Sequence, residues 1–172
     1  MSVQIEKLNF DSYADAELAL LPRLRGHVFH VTTPDGYEGI QRDGFIGSNL
    51  NEGYAFTTGQ SKSSFFWLKG CVSLVDLRDI SDDELSTGTQ NYTFIAPFSP
   101  NLSSLTRMTV FLVLSNSAYQ AIITCNDLAA MVVPQFEVGY LDKLPLCQIA
   151  SVIQITITVS PFLLPFYETP QS

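Results

Sequence analysis

Apolar positions in this chain gather in short alternating or continuous runs towards its second half, and in helix-spaced clusters nearer its start. Residues 107–115 (RMTVFLVLS) are centred on an unbroken apolar run from Val110 to Leu114. A run of that length, rich in β-branched and aromatic side chains, predicts a buried strand. Residues 151–159 (SVIQITITV) place Ile153, Ile155 and Ile157 at every second position, the period of a strand with one apolar face. Residues 71–77 (CVSLVDL) and 132–141 (VVPQFEVGYL) predict two more strands, and a connection containing Pro145 links the latter to the last one. Residues 27–32 (HVFHVT) are rich in strand formers, and shorter strands are predicted at 54–57 (YAFT) and 91–98 (NYTFIAPF), the second stopped by Pro97.

Helical signals are shorter. Residues 11–21 (DSYADAELALL) carry helix formers behind a capping Asp11, with Leu18, Leu20 and Leu21 as apolar surface and Pro22 as the stop. Thr33 and Pro34 have the chemistry of an N-cap and first helical position, and the helix they open should end at Gly44 with Tyr37 and Ile40 on one side. Residues 61–70 (SKSSFFWLKG) read as a helix between a serine cap and Gly70, with Trp67 in the core. The acidic stretch 78–90 reads as a loop or short helix, with Asp82, Asp83 and Glu84 solvated, and 117–130 is ambiguous between helix and strand. The proline-broken segment SPFLLPFYETPQS reads as extended chain lying on the domain. Helices early and strands mostly late predict an α+β domain spanning residues 1–172, with no repeat and no linker.

Composition narrows the functional classes. The chain has 172 residues, 46% apolar and 15% charged, which is enough to build one core and is not a disordered composition. A net charge of -8 disfavours nucleic-acid backbones and anionic membranes as general partners. Cys71, Cys125 and Cys147 are odd in number and form no C-x-x-C pair, which fits a reducing, cytoplasmic setting and gives no metal-ligand pattern. No signal-peptide pattern opens the chain, and no apolar run reaches the length of a membrane span, so no membrane partner is expected.

Three separated stretches carry a family resemblance. The first is His30-Val31-Thr32-Thr33 with Gly39-Ile40 and Gly44-Phe45-Ile46; the second is Gly53-Tyr54-Ala55-Phe56 with Ser61-Lys62-Ser63; the third is Val133-Pro134-Gln135-Phe136-Glu137-Val138 with Leu144-Pro145-Leu146 and Ile149. In order and spacing they resemble the histidine, tyrosine and glutamate strands of the H-Y-E branch of ADP-ribosyltransferases. That branch includes the diphtheria-toxin type, the poly(ADP-ribose) polymerases and small bacterial toxins. The matched stretches cover about a third of the chain. Gln135-Phe136-Glu137 also resembles the Gln-x-Glu pair of the arginine branch, although His30 stands where that branch has its arginine.

The resemblance implies a split antiparallel β-sheet core with short flanking helices, and NAD as the substrate. His30, Val31, Thr32, Tyr54 and Ser63 would contact NAD, with His30 bonded to the adenosine-side ribose and Tyr54 stacked on the nicotinamide. Glu137 would be the catalytic carboxylate, stabilising positive charge on the ribose as the nicotinamide bond breaks. Gln135 would lie beside the acceptor, a protein or nucleic acid. An antitoxin or inhibitor is a further implied partner, and no metal is required. The residues alone leave other readings open. His30 and Tyr54 fit ordinary strand positions, Gln135 fits a structural role, the serines 61 to 64 fit a helix cap, and His27 faces away from His30. A catalytically silent nucleotide- or protein-binding domain of this fold, or a tRNA 2′-phosphotransferase-like enzyme, is the alternative.

Overall fold

The apolar run at 106–114 becomes β5 (Thr106–Leu114), whose last six residues are all buried. It pairs antiparallel with β9 (Ile149–Thr158) along nearly its whole length, from Thr106↔Thr158 to Leu114↔Ile149, with a bulge at Val113/Leu114. On its other side it pairs antiparallel with β2 (Val28–Thr32). The structure is a computed structural model that describes residues 3–48, 50, 64–91, 106–128 and 136–158. Among these residues the main sheet continues through β4 (Cys71–Asp76), β7 (Glu137–Leu141) and the two-residue β6 (Ile122–Ile123), and ends on the far side at β1 (Gln4–Phe10). The resulting order is β1-β9-β5-β2-β4-β7-β6. Every pairing is antiparallel except that of β1 with β9. A separate ribbon joins β3 (Phe45–Ile46) to β8 (Leu144–Pro145).

Both faces of the sheet are apolar, so it is buried between two layers. One face carries Phe29, Phe111, Val113, Ile153, Ile155 and Ile157, covered by Ala16, Leu20 and Leu24 of α1 (Tyr13–Leu24). The other carries Val28, Leu74, Val110, Leu112, Val138 and Val152, covered by Tyr37 of α2 (Pro34–Asp43) and by Ile46 and Leu144 of the ribbon. A mixed domain built on a mostly antiparallel sheet agrees with the α+β expectation.

Local differences from the sequence reading have identifiable causes. The α1 cap is Ser12, whose hydroxyl accepts from the Asp15 N–H, so Asp11 lies outside the helix. Pro22 does not stop α1, which continues one more half-turn to place Leu24 fully inside the core. The α2 boundaries match: Thr33 caps Gly36 N–H at 3.1 Å, and Gly44 takes the left-handed conformation with φ 78°. The acidic run forms the first turn of α4 (Asp82–Asn91) because Ser81 and Glu84 make a reciprocal capping box. The Ser81 hydroxyl, donating to Glu84 Oε2 at 2.6 Å, and then the Ser81 N–H hold the Glu84 carboxyl below its usual pKa range. The ambiguous stretch resolves into a 3-10 turn at Asn116–Ala121, β6, and a second turn at Asn126–Leu128. In α3 (Phe65–Leu68) the fully buried side chain is Phe66, and Trp67 is only half-buried. The strand expected at 54–57 lies outside the described residues, as does the one at 91–98 except for Asn91, which ends α4.

The middle of the sheet bears on function. β2 and β4 share only two registered pairs, Val28↔Asp76 and Phe29↔Val75. Beyond them β2 goes on pairing with β5 as far as Thr32↔Val110, while β4 goes on pairing with β7 as far as Cys71↔Leu141. The ladder between β2 and β4 therefore stops at His30, leaving β4 carbonyls there without β2 backbone partners.

Candidate functional site

His30 stands where that ladder stops. Its ring Nδ1 lies 3.1 Å from the Ser73 carbonyl oxygen on β4. A carbonyl can only accept, so Nδ1 carries the proton in this bond. Burial pushes the His30 pKa below its ordinary value, with the Ser73 bond partly opposing the shift. The neutral ring is thus held in one tautomer, with its Nε2 lone pair as an acceptor. Among the described residues nothing hydrogen-bonds that nitrogen.

Glu137 begins β7 directly opposite Val75. The register also places Ser73 opposite Gly139, so Ser73 and Glu137 are diagonal neighbours on one face of the sheet. The Ser73 hydroxyl donates to Glu137 Oε1 at 3.1 Å, and the Phe66 N–H donates to the same oxygen at 3.3 Å. The Ser64 hydroxyl is a third donor to Oε1, and it also accepts from the Trp67 N–H at 3.2 Å as the cap of α3. Oε2 accepts no hydrogen bond from a described residue.

The clamp depends on how closely α3 lies on the sheet. Gly139 makes room for it: a Cβ there would sit 2.4 Å from the Phe66 ring and 3.0 Å from Cys71 Cβ. With only hydrogen at that position, Phe66 packs closely over β7, and its N–H and the Ser64 hydroxyl come within reach of the carboxylate.

Strand alternation puts His30 one residue out of the row formed by Phe29, Val75 and Glu137, and so on the opposite pleat. It is nevertheless joined to Glu137 through a single residue. Ser73 takes the imidazole on its carbonyl and gives its hydroxyl to the carboxylate. Thr32 shares the His30 side of β2 but is buried, lying under Gly36 in the first turn of α2. Val31 packs into the α1-side core. Tyr54, Ser63 and Gln135 lie outside the described residues.

The sequence does not single out Ser64 or Ser73 as site residues. Ser64 is legible there mostly as a helix cap, being the last serine before an apolar helical run, with phosphate contact as the minority reading of the serine cluster. Ser73 is one polar residue inside CVSLVDL, and nothing in that strand's pattern marks it.

A second polar cluster lies at the end of β4. Arg78 binds Asp76 in a two-pronged pair, Nε to Oδ1 at 2.9 Å and Nη2 to Oδ2 at 2.6 Å, and its guanidinium lies 4.6 Å from the centre of the Tyr119 ring. The bond to Asp76 raises the Arg78 pKa, so this group is a fixed cation. Among the described residues no group of three His, Cys, Asp or Glu side chains is placed to hold a metal ion. No helix among them is long and apolar enough to cross a membrane.

What the arrangement offers is a neutral hydrogen-bond acceptor on β2 and an oriented carboxylate on β7, with β4 between them and Ser73 bonded to both. No protein-family model, no curated protein and no solved structure matches the chain, so the functional reading rests on this geometry and on the motif resemblance.

Proposed function

We propose that this chain is a mono-ADP-ribosyltransferase of the H-Y-E type that cleaves NAD and passes ADP-ribose to a macromolecular acceptor, as a cytoplasmic toxin-type or defence effector. One observation carries the reading: His30 and Glu137, assigned to the same site by motif order alone, are both bonded to Ser73 where the β2–β4 ladder ends. Such a break in an antiparallel sheet is what the split core of this fold requires.

The chemistry of each group fits its proposed role. A neutral imidazole whose Nε2 takes no bond from a described residue can accept from a hydroxyl and has nothing there to offer an anion, which suits the adenosine-side ribose better than a phosphate. A carboxylate gripped through one oxygen presents the other in a fixed direction. Near the ribose it would stabilise the oxocarbenium-like charge that develops as nicotinamide departs. An inhibitor or antitoxin that covers the proposed NAD site is part of the same proposal.

The test is nicotinamide release from NAD by the purified protein, paired with calorimetric NAD binding. Glu137→Gln should lower turnover by about 10²–10³-fold, the cost typical of removing one preorganised electrostatic group, while NAD still binds. NAD binding without turnover in the wild type would favour a silent nucleotide-binding domain. Absence of both would sink the proposal.

A further inference from the structure

We infer that Ser73 is a positioning residue that sets the relation between the two ends of the proposed NAD site. The inference rests on the functional reading above. Ser73 is the one described residue bonded to both His30 and Glu137. Its backbone is pinned in register opposite Gly139, so its carbonyl and hydroxyl both project from a fixed point in the sheet.

The two bonds act on different freedoms. The carbonyl fixes the imidazole tautomer and ring orientation. The hydroxyl fixes one carboxylate oxygen and so aims the other. Ser64 and Phe66 also grip Oε1, but they belong to α3 and its cap, a helix of one turn. Ser73 belongs to a strand paired along its length with β7, and groups held by strands are placed more accurately than groups held by short peripheral segments. The α3 donors therefore hold the carboxylate, and Ser73 determines where it stands relative to His30.

The arrangement permits a clean dissection. Ser73→Ala removes the hydroxyl but keeps the carbonyl that anchors His30. Glu137 then loses its only sheet-borne donor among the described residues and retains the two from α3. A carboxylate displaced by a fraction of an ångström to about 1 Å costs the chemical step more than substrate binding, on the order of 10- to 100-fold.

The experiment measures kcat and KM for nicotinamide release, and NAD affinity by calorimetry, for wild type, Ser73→Ala, Ser73→Cys, Ser73→Thr and Glu137→Gln. Thermal midpoints check folding, and Ser73→Cys keeps the side-chain volume while supplying only a weak donor. The expected result is a roughly 10- to 100-fold fall in kcat for both Ala and Cys, NAD affinity within about threefold of wild type, and recovery of kcat by Thr, which restores the hydroxyl. A Ser73→Ala enzyme with kcat within about twofold of wild type overturns the inference. So does a loss confined to KM, or a Thr variant as slow as Ala. If wild type is active and Glu137→Gln is not, these failures strike Ser73 alone. If wild type neither binds nor cleaves NAD, the functional reading itself falls and takes this inference with it.

Discussion

Gly139→Ala is the sharpest test of how the site is assembled, because the expected damage can be worked from contacts. The backbone at Gly139 does not have a positive φ, so alanine meets no conformational penalty there. In strand conformation the change should even stabilise by about 0.4–1 kcal/mol, through lower entropy of the unfolded chain. Against this, the new methyl would lie 2.4 Å from Phe66 Cδ1 and 3.0 Å from both Phe66 Cγ and Cys71 Cβ. Cys71 Cβ is fixed to a paired strand, so the ring must move instead. Reaching ordinary contact at 3.4 Å requires Phe66 to retreat by about 1 Å. Phe66 is fully buried and belongs to the single turn of α3, so its retreat strains that turn. Overpacking of this kind costs about 1–3 kcal/mol, and the middle of that range less the middle of the entropic gain leaves a net loss of about 1.3 kcal/mol. Equilibrium urea unfolding measures it directly. The mechanism is checked by repeating the substitution in a Phe66→Leu background, where the smaller side chain should relieve most of the cost and give a coupling energy of about 1 kcal/mol. A Gly139→Ala protein as stable as wild type, or a cost that is unchanged in the Phe66→Leu background, would refute the packing argument.

Two further predictions follow from charge and burial. The folded-state pKa of His30 lies below the ordinary 6.5, so the unfolded chain binds the proton first as pH falls. The stability linked to His30 is complete above pH 6.5 and is lost as pH drops from there towards the folded value, at no more than about 1.4 kcal/mol per pH unit. Urea unfolding at pH of about 7.5 and about 5.5, on either side of that ordinary value, should show a smaller pH dependence for His30→Asn than for wild type, and identical slopes would contradict the burial argument. Arg78→Met should destabilise by about 1–3 kcal/mol, because it takes the guanidinium from Asp76, whose side chain is only 15% exposed and keeps the N–H of residue 78 as a donor, while the 30% exposure of Arg78 keeps the loss below that of a fully buried pair. A loss under about 0.5 kcal/mol by the same measurement would show that water takes over the role of Arg78.

Much of the fold is legible in the sequence because its signals are local. Thr33-Pro34 and Gly44 delimit α2 through cap chemistry, and the runs at 107–115 and 151–159 mark the two central strands through apolar period. The failures arise where tertiary contacts overrule local signals. Pro22 marks a helix end, yet burial of Leu24 carries α1 past it. The strand β1 has no strong pattern of its own, because a half-exposed edge needs few apolar residues. At the site, His30 and Glu137 are visible as chemical oddities in apolar strands, and their motif order links them. Ser73 is invisible, since its importance comes from register: only the pairing of β4 with β7 and the end of its pairing with β2 put one serine beside both. Ser64 is half visible, as a cap whose second bond crosses to a strand far away in sequence.

The parallel pairing of β1 with β9 also governs how the chain is made. β9 is the shared neighbour of β1 and β5, and it is the last described strand to be synthesised. Until Ile149–Thr158 has left the ribosome, one long edge of β5 lacks its β9 partner and β1 lacks the strand it docks on. The earlier strands must wait with apolar faces and open edges, and the closing contact, Gln4↔Ser151, spans nearly the whole described chain. Such non-local closure makes folding slow and leaves the nascent chain open to aggregation until β9 has been made.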